Sequence, residues 1–561
     1  MMPLGDPLSE VLVDAGVITR EQLETAVAAR SNGVERLDET IARLGLAREA
    51  DIYRAVAHRL GLEYIPELDR EIDQALLTQV PSEFAMRYQV LPLRAEDHTL
   101  VVAMANPFDV TVLDDLRLLT SRDVRAVVAS PRQISEAIEQ CYMEKMFRDI
   151  DDMQTEEVAE EDLEIADLQK MAREALVIKL VNLIIHQAIQ ERASDIHVEP
   201  HEKELRVRYR VDGVLHDASS PPRHLHAAII SRIKILAEMD IAERRLPQDG
   251  RVRLKIGGRN IDLRVSTIPT LHGESVVIRL LDRAAGMIPL TDLGMRQDTF
   301  DAFRRLIARP HGIILATGPT GSGKSTTLHA ALHVVYSPEK KVITIEEPVE
   351  YELAGANQIN VRPEIGLTFA SGLRHIVRQD PDIIMVGEIR DRETADIAIH
   401  AALTGHLVFS TVHTNDAPGA VTRLLDMGIE AYLVASSLIG VIAQRLVRTL
   451  CPGCKTPFTP SPEDLREIGL TSEQAGAVTL YRAGQCDLCL GGYLGRTGAF
   501  ELLPVDDEVR RQVIDKTPSG VVKQRAVDKG MRTLLADGRQ KVLEGRTTIE
   551  ELVRVCQRDE V

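Results

Sequence analysis

A nine-residue stretch is the most informative part of this sequence: Gly318-Pro319-Thr320-Gly321-Ser322-Gly323-Lys324-Ser325-Thr326. It matches the P-loop pattern G-x-x-x-x-G-K-[ST] at every fixed position. The apolar run 312–317 before it predicts a buried strand, and 327–332 after it predicts a helix. In that context the glycines let backbone N–H groups and the positive end of the helix dipole face a phosphate. The alternative, a glycine-rich turn without a ligand, leaves the flanking strand and helix unexplained.

The P-loop pattern assigns roles to two of its residues and predicts ATP and Mg²⁺ as ligands. Lys324 is expected to reach the β- and γ-phosphates, and the hydroxyl of Ser325 to bind Mg²⁺. A strand and helix on either side of such a loop are typical of an α/β fold in which the helix packs on a parallel sheet.

Two further apolar runs end in carboxylates, as strands beside a bound nucleotide do. Residues 342–345 lead into Glu346 and Glu347, and residues 383–386 lead into Gly387 and Glu388. Carboxylates at the C-terminal edge of a parallel sheet lie beside the point where a nucleotide binds. We expect Glu388 to orient water or bind Mg²⁺ through water, and Glu346 or Glu347 to polarise the attacking water. The alternative is that these acids only cap strand ends.

A third core strand is predicted at 407–412, with His406 before it and His413 after it. Either histidine could hydrogen-bond the γ-phosphate. The two are seven positions apart, so they need not share one site. A structural role is the alternative for each of them.

Four cysteines form a C-x₂-C…C-x₂-C pair: Cys451, Cys454, Cys486 and Cys489. This spacing predicts a tetrahedral Cys₄ site for Zn²⁺, with redox-active pairs as the alternative. Four thiolates fill the coordination shell of zinc, so the expected role is structural. Cys141 and Cys556 are isolated in the sequence and are expected to be inert.

Composition and length exclude several other classes of protein. A chain of 561 residues has room for several domains. It offers no run of about 18 apolar residues and no basic, then apolar, N-terminal signal, so neither a membrane span nor a secretory signal is expected. The net charge of −18, the absence of Trp and the scarcity of aromatic residues disfavour a protein that coats nucleic acid.

Pattern changes along the chain predict its domains. Residues 1–66 contain two similar helix–Gly–helix units, and 149–167 hold ten acidic residues and no basic one. The charge run predicts a flexible linker, with an acidic docking segment as the alternative. The segments expected are a helical repeat module at 1–66, a small α/β domain at 67–147, a linker at 148–169, an α/β lobe at 170–285, the P-loop core at 286–445, a Cys₄ module at 446–500 and a helical C-terminal region at 501–561.

These motifs, in this order, resemble those of the secretion and pilus traffic ATPases, and most of all the type II secretion ATPases of the GspE group. The likeness covers about residues 80–555. The segments that carry it are Arg192–Pro200, Arg244–Arg251, the P-loop, Gly387–Asp391 and Leu403–His406. The entry to the P-loop strand at Arg309–Gly312 favours this group over the pilus extension ATPases. Retraction motors lack the long N-terminus and the Cys₄ module.

The resemblance implies a multidomain α/β protein with a RecA-like ATPase core preceded by a smaller lobe, working as a homo-hexamer. It assigns residues 346–350 to the Asp box, 383–388 to Walker B and 404–413 to the His box. The family shows Glu-Asp-Pro where this chain has Glu346-Glu347-Pro348. It also places arginines of the lobe on the phosphates. The best matches are Arg210, Arg264 and Arg279, in cis or from a neighbour.

The resemblance also implies where such a protein works and with which partners. A cytoplasmic ATPase peripheral at the inner membrane would dock on the cytoplasmic domain of a membrane partner and drive a polytopic platform protein. The N-terminal repeats resemble modules that bind cyclic di-GMP in some pilus ATPases and that favour Arg-Leu-Gly at the start of each repeat. The equivalents here, Pro7-Leu8-Ser9 and Arg36-Leu37-Asp38, lack both glycines and one arginine, which disfavours that ligand. A pilus extension motor, a nucleic-acid translocase and a low-turnover nucleotide-binding scaffold are the alternative functions.

Overall fold

Two units divide the chain. The first comprises residues 1–284 with 451–455 and 484–492, and the second comprises 285–450, 456–483 and 493–561. The computed structural model describes residues 7–29, 36–68, 72–138, 140–142, 145, 163–256, 259–282, 287–470, 478–486 and 489–556.

The first unit begins with the two helical repeats that the sequence predicts. Helices α1 and α2 span Pro7–Asp14 and Arg20–Ala28, and α3 and α4 span Leu37–Arg43 and Glu49–Leu60. Gly16 and Gly45, at the turn of each repeat, adopt positive φ, which favours glycine at these helix ends. In the second repeat, the guanidinium of Arg36 donates to both carboxylate oxygens of Asp38, at 3.1 and 3.0 Å. Asp38, which stands where the related motif has glycine, therefore pairs with Arg36, the arginine at the start of the same motif.

A small α/β domain follows in the first unit. Its elements are α5 (Gln74–Gln79), α6 (Ser82–Tyr88), β1 (Val90–Glu96), β2 (Thr99–Met104), α7 (Val110–Thr120) and β3 (Asp123–Val128). The sheet order is β1-β2-β3, with β1 antiparallel and β3 parallel to β2. The middle strand, β2, is buried along most of its length.

The last part of the first unit is a lobe that consists of a six-stranded antiparallel sheet and two helices. Its elements are α8 (Leu163–Gln190), β4 (Asp195–Pro200), β5 (Leu205–Val211), β6 (Val214–Asp217), α9 (His226–Leu236), β7 (Gln248–Ile256), β8 (Arg259–Thr270) and β9 (Gly273–Asp282). The order is β6-β5-β4-β9-β8-β7. Helix α8 takes up the end of the predicted linker, whose residues 148–162 lie outside the described part. Within the described ranges, no helix is both long and apolar enough to cross a membrane.

The second unit is built on a seven-stranded sheet. The sheet includes the strands of the predicted P-loop core and continues beyond residue 445, where that core is expected to end. Its first elements are α10 (Gln297–Ile307), β10 (Gly312–Thr317), α11 (Lys324–Val335), β11 (Val342–Glu346), β12 (Ala356–Asn360), α12 (Phe369–Ile376), β13 (Ile383–Val386), α13 (Arg392–Leu403), β14 (Leu407–Val412), α14 (Ala417–Asp426) and α15 (Ala431–Ser437). The remaining ones are β15 (Leu438–Leu450), β16 (Thr456–Phe458), α16 (Pro462–Glu467), β17 (Leu480–Arg482), β18 (Tyr493–Pro504), α17 (Asp507–Ile514), α18 (Ser519–Asp528), α19 (Leu534–Leu543) and α20 (Ile549–Val555).

The strand order of this sheet, β12-β11-β13-β14-β10-β15-β18, decides which residues meet. The first six strands are parallel and β18 is antiparallel to β15. The carboxyl ends of β10, β11, β13 and β14 therefore share one edge. The sequence placed a boundary at residue 445, but β15 runs on to Leu450 and pairs with β18, so the cysteine module is inserted between two strands of the core sheet.

Candidate active site

The P-loop adopts the tight turn that its glycines make possible. Strand β10 ends at Thr317 and helix α11 begins at Lys324. Gly318, between strand and loop, has φ of +147°, and a Cβ there would lie 2.5 Å from the carbonyl oxygen of Gln444. Within the described residues, the buried hydroxyl of Ser322 has no hydrogen-bond partner. A cradle closed to side chains, with an unused donor and a helix N-terminus, fits a bound phosphate.

Lys324 lies folded against the loop that it belongs to. Its ammonium donates to the carbonyl oxygens of Gly318 and Pro319, at 2.9 and 3.0 Å. Burial, and next the positive charge of Arg445, lower the pKa of Lys324 to about 8. A bound phosphate would bring a negative charge next to the ammonium and favour its charged form. The surroundings of Lys324 therefore suit an anionic ligand. Ser325, the expected Mg²⁺ ligand, follows in the first turn of α11, half-buried.

Glu346 is a buried carboxylate whose two oxygens are already engaged. Oε1 accepts hydrogen bonds from Thr344 at 2.6 Å and Gln358 at 3.2 Å, and Oε2 lies 3.2 Å from Nε2 of His329. Only 4% of Glu346 is exposed. The expected contact between Glu346 and attacking water is therefore not what the geometry favours. Glu346 instead anchors α11 behind the P-loop.

His329 is a residue of this site that the sequence analysis missed. Its Nδ1 lies 2.9 Å from the carbonyl oxygen of Ser325, one turn earlier in α11. Burial lowers the pKa of His329, but the carboxylate of Glu346 outweighs burial and leaves the pKa above its ordinary value. Burial likewise raises and His329 lowers the pKa of Glu346, which ends below its ordinary value. Each of the two therefore favours the charged form of the other across 3.2 Å. The available signal was the i, i+4 spacing from Ser325, which turns His329 toward the P-loop.

Glu347 and Glu388 are the more accessible carboxylates at this edge of the sheet, and Arg390 joins them. Nη1 of Arg390 lies 2.8 Å from Oε2 of Glu347, and its Nε contacts Glu388. The other oxygen of Glu388 lies 3.4 Å from Nε2 of His413. Burial, followed by the charges of Lys324 and Arg390, lowers the pKa of His413. A neutral imidazole at this position can accept a hydrogen bond from water or donate one to phosphate.

The loop that carries His413 is fastened to the P-loop strand. The N–H of Thr414 donates to the hydroxyl of Thr317 at 2.9 Å, and the two hydroxyls are 2.7 Å apart. Because Thr317 is the last residue before the P-loop glycine, these bonds fix the end of β14 against the end of β10. The structure therefore brings His413, Glu388 and the P-loop together.

His406 is not brought to this edge. It precedes β14, and its backbone carbonyl accepts the N–H of Gly312, the first residue of β10. Its ring Nδ1 lies 2.7 Å from the carbonyl oxygen of Ala401. A strand of six residues spans about 20 Å, so within one chain His406 is at the end of the sheet opposite the P-loop.

The three predicted arginines of the lobe share one transverse row of its sheet. Directly paired positions run Arg210–Asp195–Arg279–Arg264–Arg251 across β5, β4, β9, β8 and β7. Paired residues of antiparallel strands point to the same face. Nε of Arg279 lies 3.0 Å and Nε of Arg210 3.9 Å from the buried carboxylate of Asp195. The row itself therefore holds four arginines and one carboxylate. Arg251 was not among the predicted site residues.

The four cysteines meet as their spacing predicts. The Sγ atoms of Cys451, Cys454, Cys486 and Cys489 all lie within 4.8 Å of one another. Three of the separations are 3.5, 3.6 and 3.7 Å. Tetrahedral thiolates at a metal–sulfur distance of about 2.3 Å are about 3.8 Å apart, so the cluster fits a metal of that size. All six cysteines of the chain are free of disulfides.

A parallel sheet with a P-loop at its carboxyl edge, flanked by strand-end carboxylates and a histidine, defines a P-loop ATPase. The sequence model of the family described as Type II/IV secretion system protein matches residues 170–554, and that of the MshEN domain matches 60–147. The chain belongs to the Type II/IV secretion system protein family. The resemblance seen in the sequence motifs is thereby confirmed.

Relatives named for type IV pilus assembly and relatives named for type II secretion both align with most of the chain. The Type IV pilus assembly ATPase PilB of Myxococcus xanthus is 44% identical over 557 residues, 97% of this chain and 98% of that protein. The Type II secretion system protein E of Xanthomonas campestris pv. campestris is 46% identical over 530 residues, 92% of each chain. The solved Legionella pneumophila ATPase DotB aligns with a TM-score of 0.50 at 21% identity over 67% of this chain and 94% of that one, a likeness of fold.

Proposed function

We propose that this ATPase works as a homo-hexamer at the cytoplasmic face of the inner membrane and drives pseudopilus assembly and protein export in type II secretion. The observation that carries the ATPase mechanism is the convergence of the P-loop, Glu388 and His413 at one sheet edge. The type II branch is supported by the relative named Type II secretion system protein E. Through that branch we also propose its partners, the cytoplasmic domain of an inner-membrane secretion protein and a polytopic platform protein.

Each residue of the site has a proposed task in hydrolysis. The P-loop N–H groups and Lys324 bind the phosphates of ATP, and Ser325 holds Mg²⁺, which neutralises phosphate charge when bound. Glu388 orients the attacking water, with Glu347 as a second carboxylate within reach of the same arginine. His413 responds to the γ-phosphate through its hydrogen-bonding ring.

The arginine row of the lobe is proposed to complete the site. Arg210, Arg264 and Arg279 form a positive row that includes Arg251. Contact of this row with the phosphates would stabilise the charge of the transition state, an effect worth several orders of magnitude in other P-loop enzymes. If the row comes from a neighbouring subunit, activity requires assembly.

Zinc is the metal that we propose for the four-cysteine cluster. Four thiolates in tetrahedral contact select Zn²⁺ among common divalent ions and leave no open coordination position. The metal would then hold together the insertion between β15 and β18, and would take no part in hydrolysis.

Type IV pilus extension is the second candidate function, because PilB of Myxococcus xanthus matches 97% of the chain at 44% identity. The chemistry is the same and only the client differs. The two candidates separate by stimulation of ATPase activity with vesicles of acidic lipid carrying the cytoplasmic domain of either a secretion or a pilus membrane partner. We expect the secretion partner to stimulate. Stimulation by nucleic acid instead would favour a translocase.

The first test of the mechanism is ATPase activity against protein concentration, with particle size measured in parallel. Specific activity should rise as hexamers form, and Glu388→Gln should abolish it. Glu352→Gln alters an exposed carboxylate in the connection between β11 and β12; it is the control and should retain activity. Turnover that is independent of assembly would contradict sharing of sites between subunits. Turnover that survives Glu388→Gln would contradict the role given to that carboxylate.

A further inference from the structure

Glu501 is a buried carboxylate in the C-terminal part of the chain that no motif singles out. It lies on β18, opposite Ala443 of β15, and only 1% of it is exposed. Oε1 accepts the backbone N–H of Ala417 at 2.8 Å, and Oε2 accepts that of Leu534 at 3.3 Å. Ala417 and Leu534 are the first residues of α14 and α19. One side chain therefore joins the N-termini of two helices that are far apart in sequence.

The surroundings of Glu501 balance burial against positive charge. Burial raises the pKa of Glu501 to about 7, while the N–H of Ala417 and the ammonium of Lys523 oppose the rise. Asp416, at the start of α14, raises the pKa further. The guanidinium of Arg445 on β15 also senses the charge of Glu501. Near neutral pH the side chain is thus divided between its ionised and protonated forms, and only the ionised form accepts both N–H groups without a competing proton.

Helix α14 begins directly after the loop that carries His413, residues 413–416, and the C-terminal part of the chain holds this loop at several points. The carbonyl oxygen of Asn415 accepts from Arg445 at 2.9 Å. The carboxylate of Asp416 lies 3.4 Å from the ammonium of Lys523 on α18. On the other side Thr414 is bound to Thr317 at the P-loop strand. Loop 413–416 is therefore bonded to the P-loop strand on one side and to Arg445 and Lys523 on the other.

We propose that Glu501 is a positioning residue for ATP hydrolysis, which holds the first N–H of α14 and so keeps His413 in register with Glu388 and the P-loop. It acts through loop 413–416 and touches no reactant. This inference rests on the proposed role of His413 in hydrolysis. The inference also assigns a role to helix α19, because its first N–H donates to the same carboxylate of Glu501 that holds the loop.

The test is steady-state hydrolysis by the assembled full chain. In Glu501→Gln one amide oxygen still accepts an N–H, but an NH₂ group replaces the other acceptor. We expect kcat to fall about tenfold, with KM for ATP and the Kd for ADP changed less than about twofold. In wild type kcat should fall on acidification through about pH 7, and Glu501→Gln should lack that step. Asp537→Asn is the control for general damage to the C-terminal core, because it breaks the buried pair of Asp537 and Lys541 on α19 without touching the loop.

A double variant separates positioning from general structural damage. If Glu501 acts through His413, then Glu501→Gln added to His413→Ala should cost less than about twofold more in kcat. Additive losses, or an equal fall of kcat in Asp537→Asn, would overturn the proposal. Full activity of His413→Ala would instead refute the proposed role of His413, so the two failures are distinguishable.

A second variant covers the case in which Glu501→Gln does not fold. Lys523 is 26% exposed, and its replacement by Met removes the ammonium that lies 3.4 Å from Asp416 and that also favours the charged form of Glu501, while the carboxylate of Glu501 itself is kept. We expect a two- to threefold fall in kcat, to about the extent that an exposed ion pair contributes, with the melting temperature unchanged. An unchanged kcat in this variant would contradict the inference that the C-terminal helices hold loop 413–416 in position.

Discussion

The affinity of this ATPase for nucleotide should depend on pH through the ionisation of Lys324. Burial and Arg445 lower the pKa of its ammonium to about 8 in the free protein. A bound phosphate supplies a negative charge next to the ammonium and raises that pKa again. By linkage, nucleotide binding is strongest where Lys324 is already charged and weakens as the pH rises through the pKa of the free protein.

The size of the effect follows from the charged fraction. With a pKa of about 8, the protonated fraction of Lys324 falls from about nine-tenths at about pH 7 to about one-tenth at about pH 9. If only the ammonium form binds tightly, the Kd for ADP rises about tenfold over that range. His413 adds no step there, because its pKa lies below the ordinary histidine value and the ring stays neutral.

The assay is titration of Mg²⁺-ADP by calorimetry at constant ionic strength, which avoids hydrolysis. Lys324→Arg is the control, because a guanidinium keeps its charge throughout this range. Its Kd is expected to be weaker than that of wild type, and flat from about pH 7 to about pH 9. A wild-type Kd that changes less than about twofold, or an equal slope in Lys324→Arg, would refute the argument that a buried ammonium limits binding.

Three further predictions concern the loop, the C-terminal core and the metal cluster. Gly318→Ala places a methyl group 2.5 Å from a backbone oxygen at φ +147°, so ADP affinity should fall more than about tenfold, while Gly520→Ala, with open space around it, should bind as wild type. Lys541→Met leaves the carboxylate of Asp537 buried without its counter-ion and held by the N–H of Phe500, which should cost about 3–5 kcal/mol in chemical denaturation. Cys454→Ser removes one of four thiolates, so zinc content measured by elemental analysis should fall well below one ion per chain.

Each of these has a result that would contradict it. Equal ADP affinity of the two glycine variants would mean that the loop relaxes around a side chain. A denaturation midpoint for Lys541→Met like that of wild type would mean that water reaches the buried carboxylate. Full zinc content in the cysteine variant would show that three thiolates suffice or that the ion binds elsewhere.

The family and the phosphate-binding loop could be predicted from the sequence because their signals are local. A strand, a P-loop and a helix are contiguous in the chain, so the motif alone fixes which groups face a phosphate. The pairs Cys451/Cys454 and Cys486/Cys489 are likewise short-range, and their spacing leaves little freedom in how the thiolates converge. The opposite placement of His406 and His413 could also have been predicted, because a strand puts its two ends at opposite edges of a sheet.

Tertiary structure decided the parts of the site that depend on distant partners. Register across four antiparallel strands sets Arg210, Arg264 and Arg279 in one row, and no local pattern encodes that pairing. Glu346 became an anchor because His329 meets it across the fold. The surroundings of Glu501 come from two helix N-termini that are far apart in sequence and that only the folded chain brings together. Sequence determined which chemistry the chain carries, since motifs are contiguous, and packing decided which carboxylate and cation stand beside it.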